Sequence, residues 1–267
     1  METYRDRLYR SYLESMEREP PTTLDNLRSR APYLRRLIHR HFPADRECHI
    51  FEMGCGYGAL LHFCRQEGYR HAVGVDRSPQ QVETAACLGI PGVQQGDLLS
   101  ALGSLADSSQ DVVIAFDVLE HFAKDELLPL IDEVHRVLRP GGRWIVHVPN
   151  GESPFHGRIR YGDFTHETIF TRTSLTQVLR ASGFAEVRTF EKTICRFPEI
   201  LECYTISGDF DYMLKVVARD LKDLSQFLTD GLMQIPGVAG VRSMICLEEI
   251  KPLSPIPVPG EAKRVGT

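Results

Sequence analysis

The chain has 267 residues, 42% of them apolar and 25% charged, with a formal net charge of -5 and a pI near 6.1. That length suits one large domain or roughly two smaller ones. The composition is that of an ordinary globular protein, and the acidic balance gives no global reason to expect a nucleic-acid partner. Purely apolar runs such as VVIAF at 112–116 fall far short of a membrane span, and the charged opening METYRDRLYR is not read as a secretory leader. The seven cysteines, at 48, 55, 64, 87, 195, 203 and 246, are odd in number and form no C-x-x-C pair. Neither a disulfide framework nor a thiolate zinc site is expected, and a reducing cytoplasm is.

Residues 1–46 carry ten arginines against seven acids. TTLDNLRSRAPYLRRLIHRHF reads as helix with Leu34, Leu37 and Ile38 on one face, either a solvated amphipathic cap or a lid over a neighbouring site. From 49 the chain alternates. HIFEM reads as a buried strand, GALLHFCRQEG as a helix closed by Gly68, and AVGVD as a second strand. Ser78 and Pro79 open the next helix and Gly89 closes it. VQQGD and DVVIAFD read as strands three and four, VHRVLRPGG as a helix end, and RWIVHVPN as strand five. Pro129 either opens or kinks the helix before strand five. TSLTQVLRASGF follows as a helix and AEVRTFE as a further strand. Strands alternating with helices through short loops predict an α/β fold, a doubly wound, mostly parallel Rossmann-like sheet. The connection over 149–170 breaks the rhythm with roughly twenty residues rich in His, Arg, Asp and Tyr, which points to a functional loop.

After Glu191 the pattern becomes strand, turn, strand, helix, strand, a partial ferredoxin-like α+β (β-β-α-β) segment. Gly208-Asp209 mark the turn, Asp220 is the expected N-cap, and Leu221, Leu224, Phe227, Leu228 and Leu232 form a helical apolar stripe. The end, PLSPIPVPGEAKRVGT, reads as a disordered tail. The expected organisation is a helical cap over 1–46, an α/β domain over 47–195, the α+β segment over 196–253 and a tail over 254–267.

Gly54, Gly56 and Ala59 satisfy the relaxed dinucleotide fingerprint, with Asp76 at the end of the second strand. Alone that pattern is weak, and glycines serving only a tight strand–helix turn, or a dehydrogenase, remain alternatives. Glu52 separates the readings. A diphosphate on the helix N-terminus would meet a like charge there, whereas a donor carrying an ammonium and a sulfonium would be attracted.

FEMGCGYG, GVD, GD, FDVLEHF and VLRPGGRWIVHVPN, in this order, make residues 50–191 resemble a class I S-adenosylmethionine (SAM)-dependent methyltransferase. The resemblance implies SAM as cofactor, held by Glu52, Gly54, Cys55, Gly56, Asp76, Arg77, Asp97, Leu98 and Asp117. Asp76 would accept from the ribose hydroxyls and Asp97 from the adenine amino group. PNGESPFHGRIRYGDFTHETIFT resembles the acceptor-side segment of methyltransferases of sugar and surface-polysaccharide biosynthesis. It implies a small-molecule acceptor near His156, Arg158, Arg160 and Tyr161. His166, His121 and Asp163 are the catalytic candidates, with Glu167 beside them. For His121 a wall of the donor pocket, and for DFTHE a cap on the following helix, stand as alternatives. His135 and His147 read as packing or surface residues. No His/Asp/Glu set shows metal-ligand spacing along the chain, so no metal is expected.

PEILECYTISGDFDYMLKVVARDL and FLTDGLMQIPGVAGVRSMICLEEIK make residues 198–253 resemble the effector-binding domain of Lrp/AsnC-type regulators, without its opening strand. The resemblance implies either a homodimer through this segment or an effector site near Gly208, Asp209, Asp211 and Tyr212. Half a sandwich leaves an apolar face and a sheet edge to cover, and ECYTIS or YMLKVV is a candidate to complete the methyltransferase sheet. The leading expectation is methyl transfer to a hydroxyl or amine of a sugar-like metabolite. The competing class is a regulator that binds SAM or amino acids without turnover.

Overall fold

The computed structural model describes residues 4–16, 19–152, 160–188, 197–205, 212–235, 238 and 241–244. Two short helices, α1 (Tyr4–Arg10) and α2 (Tyr12–Ser15), open the chain, and a 3-10 helix, Leu24–Arg30, runs directly into α3 (Ala31–His41). The sequence predicts one helix here. The break falls just before Pro32, whose ring nitrogen cannot donate to the preceding turn. Leu34, Leu37 and Ile38 are buried as their spacing requires.

The α/β layer follows as β1 (His49–Met53), α4 (Ala59–Gln66), β2 (His71–Asp76), α5 (Pro79–Cys87), β3 (Val93–Gln95), α6 (Leu98–Gly103), β4 (Gln110–Phe116), α7 (Lys124–Val137), β5 (Leu138–His147) and α8 (Arg172–Ala181). The sheet order is β3-β2-β1-β4-β5, and every pairing is parallel. Side chains alternate across the strands. Ile50, Ala72, Val112 and Ile114 face α3, α4 and α5, while Phe51, Met53, Val113 and Ala115 face α6, α7 and α8. A parallel strand buried on both faces reads as a continuous apolar run, and β1 does so except at Glu52. Gly68 and Gly89 both take positive φ, 91° and 68°, where their helices end. Pro129 lies inside α7 rather than opening it: Ala123 is the N-cap, and its N–H donates to Glu126 at 2.9 Å. One helical hydrogen bond is given up at that ring.

Strand order reverses between β1 and β4, so the crevice that such sheets use for ligands lies at their carboxyl ends. The strand expected at AEVRTFE is absent over 185–188, and its remaining residues lie outside the described ones.

β6 (Ile200–Thr205) and β7 (Tyr212–Val216) pair antiparallel with each other and do not extend the parallel sheet, contrary to the place proposed for them. They have a core of their own. Ile200, Leu214 and Val216 pack with Phe197, Phe227, Leu228, Leu232 and Ile235. Asp220 caps α9 (Leu221–Gln226), accepting from the Asp223 N–H at 2.8 Å. The chain then widens into a π turn over Phe227–Gly231. That change of period rotates the expected stripe: Phe227 and Leu232 are buried, and Leu221 is 68% exposed. Arg40 of α3 donates to the Gln234 carbonyl at 2.9 Å, a link between the cap and this segment. The Gly208-Asp209 turn, the last expected strand beyond residue 244 and the tail lie outside the described residues.

Candidate active site

Glu52 points from β1 toward the side of Ile50 and is 5% exposed, and its Oε2 has no hydrogen-bond partner among the described residues. Burial pushes its carboxyl up to about 8, with Asp76 adding to the rise and Arg30 opposing it. Directly after β1, Gly54, Gly56 and Gly58 take φ of 62°, 55° and 77°, a left-handed run that side chains resist. A Cβ on Gly54 would stand 2.6 Å from Val118 Cγ2, so the loop after β4 packs directly on the glycine loop. Neighbouring Gly74 of β2 makes room for Cys55, whose Cβ lies 2.6 Å from where a side chain would begin. Cys55 is buried, and burial raises its thiol far above the ordinary range.

Asp76 ends β2 and binds the glycine loop from below. Its Oδ2 accepts from the Gly56 N–H at 2.8 Å and its Oδ1 from the Ser78 N–H at 2.9 Å. Burial raises its carboxyl despite those two donors. Ser78 and Pro79 begin α5 as expected, although the Ser78 hydroxyl makes no capping bond. Asp97 is exposed and caps α6, accepting from the Ser100 N–H at 3.0 Å, with Leu98 at the first helical position. Arg77 is turned the other way: it pairs with Asp6 of α1 at 2.5 Å and lies 5.9 Å over the Tyr9 ring.

The loop after β4 holds the densest cluster of titratable groups. Asp117 has a φ of 53° and bonds His147 Nδ1 of β5 at 2.8 Å. Desolvation would raise its carboxyl, but His147, His121 and His166 together outweigh it and the net shift is downward. His147 is exposed, in keeping with the surface alternative expected for it, and it lies beside the loop after β4. Glu120 is 1% exposed, both its carboxylate oxygens lack partners among the described residues, and burial with the nearby Asp117 pushes it up to about 8. Burial, reinforced by the adjacent His166, brings His121 down to about 4.

The 160–170 segment folds onto this cluster. The N–H groups of Glu167 and Thr168 donate to the Glu120 carbonyl at 2.8 and 3.0 Å, which brings the His121 and His166 rings to 4.8 Å between centroids. DFTHE is thus tied to the loop after β4. The α8 cap is Thr171, accepting from the Ser174 N–H at 3.1 Å. Asp163 Oδ1 accepts from the Thr165 N–H at 2.9 Å and from its hydroxyl at 2.5 Å, and Oδ2 accepts from the Tyr12 hydroxyl at 2.8 Å. Enclosure pushes this carboxyl up, and those three donors bring it below its ordinary value. Arg160 donates to the carbonyls of His166 and Glu167, so its guanidinium secures the loop rather than standing open to an anionic acceptor. Tyr161 is 81% exposed. His156, Arg158, Gly208, Asp209 and Asp211 lie outside the described residues, while Tyr212 begins β7.

α1 and α2 lie against the 160–170 segment and the start of α7. Besides Tyr12, Arg5 pairs with Glu126 at 2.7 Å, Tyr4 donates to Glu167, and the Leu13 N–H donates to Gln80 at 3.0 Å. Tyr9 stands edge-on to His121 at 6.2 Å. Sequence reasoning anticipated a cap or lid but not these tyrosines. Their only local signal is aromatic residues three apart on an arginine-rich helix.

A family model described as "Methyltransferase domain" matches residues 26–189, more than half of the chain. A second, "Lrp/AsnC ligand binding domain", matches 177–256, beginning upstream of the segment read from the sequence and overlapping the first. A SAM-dependent methyltransferase from Archaeoglobus fulgidus has the same fold, with a TM-score of 0.56, 21% identity, and coverage of 84% of this chain and 92% of its own. The transcriptional regulator AzlB of Bacillus subtilis is 39% identical over 72 residues, 27% of this chain and 46% of the regulator. The Bkd operon transcriptional regulator of Pseudomonas aeruginosa is 44% identical over 61 residues, 23% of this chain and 40% of its own. The chain thus spans less than half the length of these two curated relatives.

Proposed function

The chain belongs to the methyltransferase domain family, and on that premise we propose that it transfers the SAM methyl group to a small polar acceptor, a hydroxyl or amine of a sugar or related metabolite. The observation that carries the proposal is Glu52: a buried carboxylate oxygen without a partner among the described residues, beside a loop that leaves no room for side chains at Gly54 and Gly58. Once ionised, that acid repels a pyrophosphate, whereas a ligand with an ammonium and a sulfonium favours its ionised form and satisfies it. Asp76 keeps further lone pairs for ribose hydroxyls, and the exposed Asp97 is available to an adenine amino group.

A sulfonium methyl is already activated, so the protein's task is to align a nucleophile behind it. Alignment of that kind supplies about 7–11 kcal/mol of a barrier. His121 and His166 stand at the acceptor end of the crevice, and Asp163 acts at one remove through Thr165. α1 and α2 supply the wall that keeps water out. In the same proposal, the hairpin β6–β7 pairs with a second copy, supported by its exposed Leu201 and Met213, at 57% and 48%.

The test is incorporation of labelled methyl across a panel of nucleotide sugars and small amines. His166→Ala should depress turnover while SAM affinity stays intact, and wild-type turnover in that variant would remove the histidine's role. The likeness of residues 177–256 to a ligand-binding domain favours a second reading, a sensor without turnover. SAM binding with no incorporation into any acceptor would favour that reading.

A further inference from the structure

We propose that Glu120, His121 and His166 bind a divalent transition-metal ion, and that this ion holds the hydroxyl oxygen of the acceptor. The inference deepens the methyl-transfer reading and rests on it for the identity of the second substrate. One ligand atom from each of the three residues lies within 4.8 Å of the others. An ion bonded at about 2.1 Å to each would draw such atoms to within about 4.2 Å, a closure of a few tenths of an ångström. Sequence spacing concealed the group because the third ligand comes from a different loop.

Two further observations point to a ligand. The Glu120 carboxylate is buried with both oxygens unpartnered among the described residues, although buried polar atoms are nearly always hydrogen-bonded. Its backbone carbonyl is held by two N–H groups of the loop that carries His166, so the orphaned group sits on a fixed base. The second observation concerns His121. The Thr165 hydroxyl has one proton and places it on Asp163 at 2.5 Å, so at 2.9 Å it accepts from His121 Nδ1–H. That leaves the lone pair on Nε2. A ligating histidine almost always has its other nitrogen held in this way, and here a hydroxyl relays it to the carboxylate of Asp163. Two imidazoles and one carboxylate suit manganese, iron, cobalt or zinc, whereas magnesium and calcium favour oxygen ligands alone.

Three protein ligands leave positions open for a substrate oxygen. Coordination there lowers the pKa of a hydroxyl, as it does for bound water. The acceptor O–H gives its proton to solvent, and the oxygen lone pair forms the new O–C bond to the methyl carbon. The electron pair of the breaking C–S bond stays on sulfur, leaving a neutral thioether. No oxidant or reductant is needed.

The test uses the full chain, stripped with a chelator and titrated with Mn2+ by calorimetry and by electron paramagnetic resonance, with SAM titrated in parallel. The expected result is one Mn2+ per chain. His166→Ala, His121→Ala and Glu120→Gln should each weaken that binding at least tenfold, and Thr165→Val should weaken it roughly tenfold. His166 is only partly buried, so its variant keeps the test decisive if Glu120→Gln fails to fold. Absence of Mn2+ binding in the stripped wild type, or equal binding by all four variants, overturns the site. Loss of SAM binding with the metal retained would instead sink the methyl-transfer reading and leave the metal site standing.

Discussion

Glu52→Gln tests the donor site through two linked measurements. Burial holds the Glu52 carboxyl at about 8 in the folded chain, against an ordinary value of 4.5. Between those values the unfolded chain has lost the proton that the folded chain keeps. The Glu52 contribution to stability is therefore greatest below about pH 4.5 and falls as pH rises toward 8, by about 1.4 kcal/mol per unit and roughly 5 kcal/mol in all as an upper bound. Glutamine stays neutral, so the variant should lose that decline, and the two thermal-melting profiles should converge at acid pH. SAM affinity carries the opposite slope. The cationic donor needs Glu52 ionised, which at pH 6 costs roughly 3 kcal/mol and at pH 8.5 costs little. A charge-assisted hydrogen bond is worth about 1.5–3 kcal/mol. The wild type should bind SAM about 10–100-fold more tightly than the variant at pH 8.5 and nearly equally at pH 6. Titration of the ligand's own ammonium affects both proteins alike and cancels in the ratio. Equal affinities of the two proteins across pH 6–8.5, by isothermal titration calorimetry, would refute the pairing of Glu52 with a cation.

Asp76→Ala removes the acceptor of the Gly56 and Ser78 N–H groups and the ribose contact together, and should weaken SAM binding well over tenfold by calorimetry; unchanged affinity would remove Asp76 from the site. Gly54→Ala meets both a φ of 62° and the Val118 methyl at 2.6 Å, so the chain should lose about 1–3 kcal/mol in urea unfolding. Wild-type stability there would mean that the loop after β4 does not press on the glycine loop.

The parts of the molecule legible in the sequence are those whose cause is local. The glycine turns at Gly68 and Gly89, the Ser78-Pro79 helix start and the Asp220 cap each rest on a few consecutive residues, and the structure has them where the sequence puts them, whereas β5 begins at Leu138, inside the stretch read as a helix end. Glu52 was legible because an acid interrupts an apolar strand. Glu120 was not: it stands beside His121 in a motif already noticed, but nothing local shows that its carboxylate is buried without a partner. The meeting of His121 with His166, the Asp117–His147 pair and the docking of Tyr9 and Tyr12 depend on contacts between distant segments. The contacts of Arg77 with Asp6 and of Arg160 with two loop carbonyls were hidden for the same reason. The hairpin β6–β7 was legible as strands but not in its pairing, because Ile200, Leu214 and Val216 find a core in Phe227 and Leu232 rather than in the large sheet.

The central claim is that the crevice beside Glu52 accepts a cationic thioether derivative. Titration of the full chain with SAM, and separately with nicotinamide adenine dinucleotide, tests it most directly. The account predicts saturable binding of one SAM per chain and no measurable binding of the dinucleotide. Saturable binding of the dinucleotide, or no binding of SAM at pH 8.5 where Glu52 is ionised, would contradict it.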